Sequence, residues 1–275
     1  VLALAYGVLT ALCWGTSAVT GARVGSRIGS FPATFAMSAV GLAVVIAPAL
    51  AVGPPAASTG QWLLAFGAGL AYLTGSACWM LGVQRGSVGI VTTLVSTDGA
   101  IAAVIAVLLG ETLTPGAGGA LAVIAVGVLL STRHGGGRER VTAPAVAFGL
   151  AGALCFGLVF VLGGHAGDVG TLWVLLASRA TAVALLTPFI LRTPIPARRL
   201  WPWILFTGAT DVGGYAFFLL GSQASIAIAS VLASQYALVA VLTGRIAFGE
   251  RLSRTQAIGI CCTLAGVAVL AVIQA

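Results

Sequence analysis

The sequence predicts an all-α integral membrane protein: ten transmembrane helices, built as two inverted five-helix repeats. Three observations carry this expectation. Charged residues make up 7% of the chain and apolar residues 59%, with a mean hydropathy of +1.11; a surface exposed to water needs far more charge. Residues 82–111 align without gaps to 221–250, at a constant offset of 139. The arginines fall in alternate connections, and corresponding connections of the two halves have opposite character.

Apolar stretches of about 20 residues can each cross the hydrocarbon core. The first runs over 2–22. Its Ala5-Tyr6-Gly7 and Ala11-Leu12-Cys13-Trp14-Gly15 recur in the sixth, 143–163, as Ala147-Phe148-Gly149 and Ala153-Leu154-Cys155-Phe156-Gly157. Recurrence in mid-chain sets aside a cleaved signal sequence. The chain does not begin with Met, so a few leading residues are expected to precede it. The second stretch, 31–52, ends before Gly53-Pro54-Pro55, and the third covers 61–84. Trp62 in the third matches Trp201 of the eighth, 201–222. The fourth, 88–109, leads into Gly110-Glu111-Thr112-Leu113, and the ninth, 225–244, into Gly249-Glu250-Arg251-Leu252. The fifth (115–132), seventh (169–191) and tenth (255–273) complete the set. The first repeat is thus 1–132, the second 143–275, and a Ser/Gly/Arg-rich linker, 133–142, joins them. A unit with an odd number of spans inserts its second copy upside down relative to its first, an architecture shared by many secondary transporters.

All thirteen basic residues are Arg. Arg23 and Arg27, Arg85, Arg133 with Arg138 and Arg140, Arg192 with Arg198 and Arg199, and Arg245 with Arg251 and Arg254 lie in or beside the odd-numbered connections. The net charge of +7 therefore reports membrane topology, and no nucleic-acid partner is expected. The odd connections are expected in the cytoplasm and both termini outside. The many Gly and Ala suit helices that pack closely in lipid, with Gly7, Gly15, Gly21, Gly67, Gly75 and Gly82 as examples. The five Cys lie within spans, without metal-ligand spacing, and are expected as small core residues.

Three charges lie deep inside spans: Asp98, Arg179 and Asp211. Each costs about 2.5–3.5 kcal/mol at a bilayer centre on insertion scales, so such residues pair, face a polar interior, or function. For Arg179 the alternatives are a structural pair with an Asp and a coupling role. Span 3 places Tyr72, Ser76 and Trp79 on one helical face, and span 8 places Asp211, Tyr215 and Phe218 at the matching positions. Spans 4 and 9 add Ser96, Thr97 and Asp98, then Ser234, Gln235 and Tyr236, at mid-depth. Spans 1 and 6 add Trp14 and Phe156. Trp62, Trp201 and Trp203 sit at span ends and read as interfacial anchors. The expected substrate-binding set is Trp14, Tyr72, Ser76, Trp79, Ser96, Asp98, Phe156, Asp211, Tyr215, Gln235 and Tyr236. An aromatic cavity with a few polar groups suits a small amphipathic solute with a planar or apolar side chain, or an organic cation. Asp98 is the first candidate for a substrate ammonium or a coupled proton.

Leu12-Cys13-Trp14-Gly15, the Gly110-Glu111-Thr112-Leu113 and Gly249-Glu250-Arg251-Leu252 turns, and Ala177-Ser178-Arg179-Ala180 together resemble the drug/metabolite transporter superfamily. The chain is similar to its ten-span EamA-type exporters, and within them most like the YddG-type aromatic amino acid exporters. The resemblance implies a bacterial inner-membrane protein with a central cavity lined mainly by spans 1, 3, 4, 6, 8 and 9, and with spans 5 and 10 peripheral. The family usually has Pro in spans 4 and 9, thirteen residues before the Glu of each turn; here Asp98 and Ala237 stand there. The first-half counterpart of Arg179 falls near Met37-Ser38, so that Arg is absent.

The function expected is export of aromatic or hydrophobic amino acids and related metabolites by alternating access. Its partners are the lipid bilayer and that small-molecule substrate. No nucleotide-binding motif is present to couple ATP. The alternative is a multidrug or organic-cation exporter, favoured by Asp98 and the aromatics. An intramembrane enzyme is more remote, since it needs a nucleophile–base or metal cluster and no His lies in a span core. No catalytic group, metal or cofactor is expected.

Overall fold

The computed structural model describes residues 2–85, 91, 94–131, 142–191, 193, 195–248 and 254–274. Linker residues 133–141, the turn at 249–252, Arg192 and most of the start of span 4 lie outside the described residues. Helices follow one another: α1 (Leu2–Ile28), α2 (Ser30–Val52), α3 (Thr59–Arg85), α4 (Asp98–Leu108), α5 (Pro115–Ser131) and α6 (Ala143–His165). Then come α7 (Thr171–Ile190), α8 (Trp201–Ser222), α9 (Ile226–Ala233), α10 (Tyr236–Phe248) and α11 (Arg254–Gln274). Two single 3₁₀ turns, Gly167–Val169 and Arg198–Leu200, precede α7 and α8.

Six of these helices, α1 to α3 and α6 to α8, are long and apolar enough to cross a membrane. Shorter apolar helical stretches, Asp98–Leu108, Pro115–Leu130, Ile226–Ala240 and Ala257–Val267, occupy parts of the expected spans 4, 5, 9 and 10. Large apolar side chains point outward from the bundle, including Leu50, Leu63, Leu108 and Phe189, all more than 60% exposed. Such a surface is a liability in water and the normal face of a helix in lipid.

Local sequence explains where the helices stop. α1 hands over to α2 at Gly29 (φ 86°), and α7 is entered from Gly170 (φ 77°). A Cβ disfavours this left-handed backbone, so each turn rests on Gly. Thr142 caps α6 by accepting the Ala145 N–H at 3.3 Å. α2 and α7 each carry one internal proline, Pro48 and Pro188, at matching places in the two halves.

The expected spans 4 and 9 are interrupted at mid-length. Between α9 and α10, Ser234 and Gln235 form a turn, and both side chains go back to the Val231 carbonyl, at 2.8 and 3.0 Å. Polar side chains that bond nearby carbonyls offer the backbone an alternative to continued helix. Before α4 the Thr97 N–H and hydroxyl both donate to the Leu94 carbonyl, at 3.1 and 2.7 Å, and α4 starts at Asp98. The two joints lie against each other. The Ser230 hydroxyl donates to the Gly99 carbonyl at 3.2 Å, and a Cβ on Gly99 would meet the Ser230 carbonyl and lie 2.8 Å from Ser234 Oγ.

The main pairings are reciprocal between the halves: α3 packs on α6 and α8 on α1, while α2 packs on α8 and α3 on α7. α2 with α7 and α5 with α11 join like to like, and α4 of span 4 packs on α9 of span 9. The close-approach glycines act as expected at Gly7, Gly15, Gly75 and Gly82, where an added Cβ would meet a neighbouring helix within 3.2 Å. At Gly21 and Gly67 the contact is ordinary van der Waals distance. The cysteines differ from expectation. All five are unpaired and none is fully buried: Cys13 and Cys155 sit half-buried at helix contacts, opposite Gly214 and Gly75, and Cys261 is exposed on α11.

Candidate functional site

A cavity of about 780 Å³ opens inside the bundle. α1, α2, α3, α4, α6, α7, α8 and α10 supply its walls, and among the described residues α5 and α11 supply none. The expected lining is corrected by the addition of α2, through Thr34 and Met37, and α7, through Ser178 and Arg179. The cavity reaches the α1–α2 turn at Ser26, Ser30 and Phe31, beside exposed Arg23 and Arg27. It is therefore accessible from the end that carries the odd-numbered connections.

Trp14 is seated by its neighbours. Its indole lies on Gly214, where a Cβ would stand 2.7 Å from the ring, and its N–H donates to the Asp211 carbonyl at 3.0 Å. Phe160 and Tyr215 stack on it at 5.6 and 6.4 Å, and Phe218 packs on Phe160 at 4.7 Å. Trp14, Phe160 and Tyr215 form the inner floor, with Phe218 buried behind them. Beyond them, at the even-numbered end, the Trp173 N–H donates to the Gly53 carbonyl at 2.6 Å and Trp62 packs edge-on against Trp173 at 5.8 Å. Trp62 is thus part of the closed end of the bundle, not simply an interfacial anchor. Trp203 lies under the Arg23 guanidinium at 4.6 Å, and Trp201 is exposed.

At that closed end Glu111 reaches the start of α9. Its carboxylate accepts the Ser225 hydroxyl in a short bond, the Ile226 N–H at 3.1 Å and the Ala227 N–H at 3.2 Å. Helix N-termini present free N–H groups and a positive dipole end, so an acidic cap fits there. The Glu250 equivalent lies outside the described residues.

Arg179 and Asp211 meet at 2.8 Å between Nη1 and Oδ2, on adjacent α7 and α8. The guanidinium also lies 4.8 Å above the Tyr72 ring and 5.9 Å from that of Tyr215. The pairing lacks hydrogen-bond alignment: Asp211 Oδ2 and Arg179 Nε have no hydrogen-bond partner, nor has the Tyr215 hydroxyl. Tyr72 meets Phe156 edge-on at 6.3 Å, and the Ser76 hydroxyl donates to the Tyr72 carbonyl at 2.8 Å. Trp79 and Phe156 pack against the small core of Val91, Val95 and Ala145.

Asp98 is the first residue of α4, and its side chain accepts the Gly99 N–H at 2.7 Å. It lines the cavity, as does Tyr236, the first residue of α10. Among the described residues no Arg pairs with Asp98. Two members of the expected set are placed elsewhere. Ser96 and Gln235 are buried at the joints and do not line the cavity. Gln235 spends its amide N–H on Val231, and its Oε1 is unpartnered. The other nine, with Arg179, line it. Sequence reasoning missed Phe160, one turn beyond Phe156 on the same helical face, and Ser17, three residues after Trp14, and both were open to that periodicity.

Among the described residues no cluster of three potential metal ligands occurs. The fold and the cavity are those of a molecule that admits a small solute into the membrane interior. A solved crystal structure is similar to this chain at 20% identity, with a TM-score of 0.79, covering 98% of this chain and 96% of its own; this is a likeness of fold. No curated protein matches the chain. The model of the EamA-like transporter family matches residues 1–133 and 143–272. With nearly the whole length matched, the chain belongs to the EamA-like transporter family, and it is a multi-pass membrane transporter of a small molecule.

Proposed function

We propose that this transporter is a ten-span secondary or facilitative exporter of amino acids with aromatic or hydrophobic side chains, as in YddG-type exporters, working by alternating access. The observation that carries this reading is the cavity itself: aromatic walls from Trp14, Tyr72, Phe156 and Tyr236 around three buried charges, Asp98, Arg179 and Asp211. Rigid rings give a planar side chain contact area at low ordering cost, while the polar groups hold its charged end. Two matched stretches in the family comparison and the reciprocal helix pairings support an inverted duplication with boundaries at 132 and 143. In the bacterial inner membrane the Arg-rich connections face the cytoplasm, the termini face outward, and the cavity seen here is open to the cytoplasm.

The test is flux into and out of proteoliposomes without nucleotide, across a panel of amino acids. Saturable movement of phenylalanine or leucine supports the proposal. A strict ATP requirement, or no movement of any amino acid, overturns it. An organic-cation exporter is the second reading, favoured because Arg179 is taken by Asp211 and Asp98 has no basic partner among the described residues. Transport of tetraphenylphosphonium that amino acids do not compete with selects that reading instead.

A further inference from the structure

We infer that the Arg179–Asp211 pair is the dock for both charges of a zwitterionic substrate: guanidinium to carboxylate, Asp211 to ammonium. This rests on the amino-acid reading above and names the groups that recognise the head of the substrate.

The pair is incomplete on both sides. Arginine has five N–H donors in a planar fork, and its usual carboxylate partner takes two of them side by side. Here Nη1 lies 2.8 Å from Asp211 Oδ2, Nε has no partner, and the guanidinium stands against Tyr72 and Tyr215. Arg179 is 3% exposed and the Asp211 side chain 11%, and both line the cavity. Three neighbouring donors are spent elsewhere. Trp14 N–H goes to the Asp211 backbone, Ser76 to Tyr72 and Ser178 to Leu175. None of these competes for the Asp211 carboxylate. On the far side, α2 offers Gly41, where a Cβ would lie 3.4 Å from Arg179 Cδ, and Ser38 one turn away with its hydroxyl unpartnered.

A half-satisfied ion pair in a low-dielectric interior is a poor structural element, because each unused donor or acceptor retains its desolvation cost. It is a good receptor for opposite charges carried on one carbon. An α-amino acid laid head to tail against the pair gives its carboxylate to Arg179 and its ammonium to Asp211, closing a ring of four alternating charges. The aromatic rings adjoining the pair then receive the side chain. Asp98, at the start of α4, is left free of the head group.

Binding to the purified full-length protein in detergent tests this, with phenylalanine, phenethylamine (no carboxylate) and 3-phenylpropionate (no ammonium) as probes. The dock predicts that each truncated probe binds at least about tenfold more weakly than phenylalanine, since it leaves one buried charge without its partner. In Arg179→Gln the preference for phenylalanine over phenethylamine is lost. Removing one partner of a buried pair can unfold a protein, so the neutral double variant Arg179→Gln/Asp211→Asn is the companion: it removes both charges together and should bind all three probes alike. Equal wild-type binding of phenylalanine and phenethylamine overturns the dock and leaves the amino-acid reading standing. Preference retained in either variant, with a monodisperse protein, also overturns it. Failure of phenylalanine and of every other amino acid to bind removes both.

Discussion

Asp98 is the residue where sequence and structure meet most closely. It stands where the family usually has Pro, and the structure makes it the first residue of a half-helix at the cavity wall. Its carboxylate draws on one N–H of its own turn and on the positive end of α4. Asp98→Asn keeps the shape and removes the charge, so flux at neutral pH should fall and its pH profile flatten. Wild-type flux at every pH would show that Asp98 plays no part in binding or coupling. Trp201→Ala is the matched control, because that ring is exposed at a helix end, and it should leave transport unchanged. Trp62 does not serve as that control, since it packs on Trp173. At this scale depth and helical face were legible in the sequence. Gln235 bonds back to the Val231 carbonyl, and Ser96 is buried outside the cavity lining; depth alone does not tell which way a buried polar side chain turns.

At the scale of elements, the joints in spans 4 and 9 form without the family's prolines. Ser234, Gln235 and Thr97 do the work by bonding back to Val231 and Leu94 carbonyls. The sequence marked these residues as polar at mid-depth, but a helix break without Pro or Gly has no period to betray it. Glu111 is the second element-level feature, bonded across to the start of α9. Glu111→Ala should cost about 1–3 kcal/mol, as for hydrogen bonds to a charged group. Faster amide exchange at Ile226 and Ala227, with a lower Tm, is the expected signature; unchanged exchange there would remove the cap from the list of stabilising contacts. The α5–α11 seam gives a third case. A methyl on Gly127 would meet Thr263 Oγ1, lie 2.7 Å from the Thr263 nitrogen and 2.9 Å from the Gly259 carbonyl, whereas Gly118 has nothing within 4 Å. Gly127→Ala should lose about 1–3 kcal/mol by overpacking. Gly118→Ala should be neutral to slightly stabilising, since Ala favours helix where nothing obstructs its methyl, and both are read by thermal unfolding in detergent.

For the whole molecule, the apolar composition made the membrane class readable in the sequence. Which helices touch was not readable, because small residues line most faces and the apolar pattern runs all round each helix. The orientation proposed from charge has a direct test: cysteine labelling at Gly136 and Thr59, in a variant lacking the native cysteines, should find Gly136 protected from outside intact cells and Thr59 reactive. The reverse pattern would turn the protein over. The six tryptophans fall into three levels along the molecule. Trp14 and Trp79 line the cavity, Trp62 and Trp173 close one end, and Trp201 and Trp203 begin the helix that rises from the other. Each level has its own local polarity and its own quenching neighbours. Intrinsic emission, resolved by leaving one pair of indoles at a time, therefore gives three built-in optical reporters, and the order in which they respond to ligand would trace a transport cycle with no dye attached.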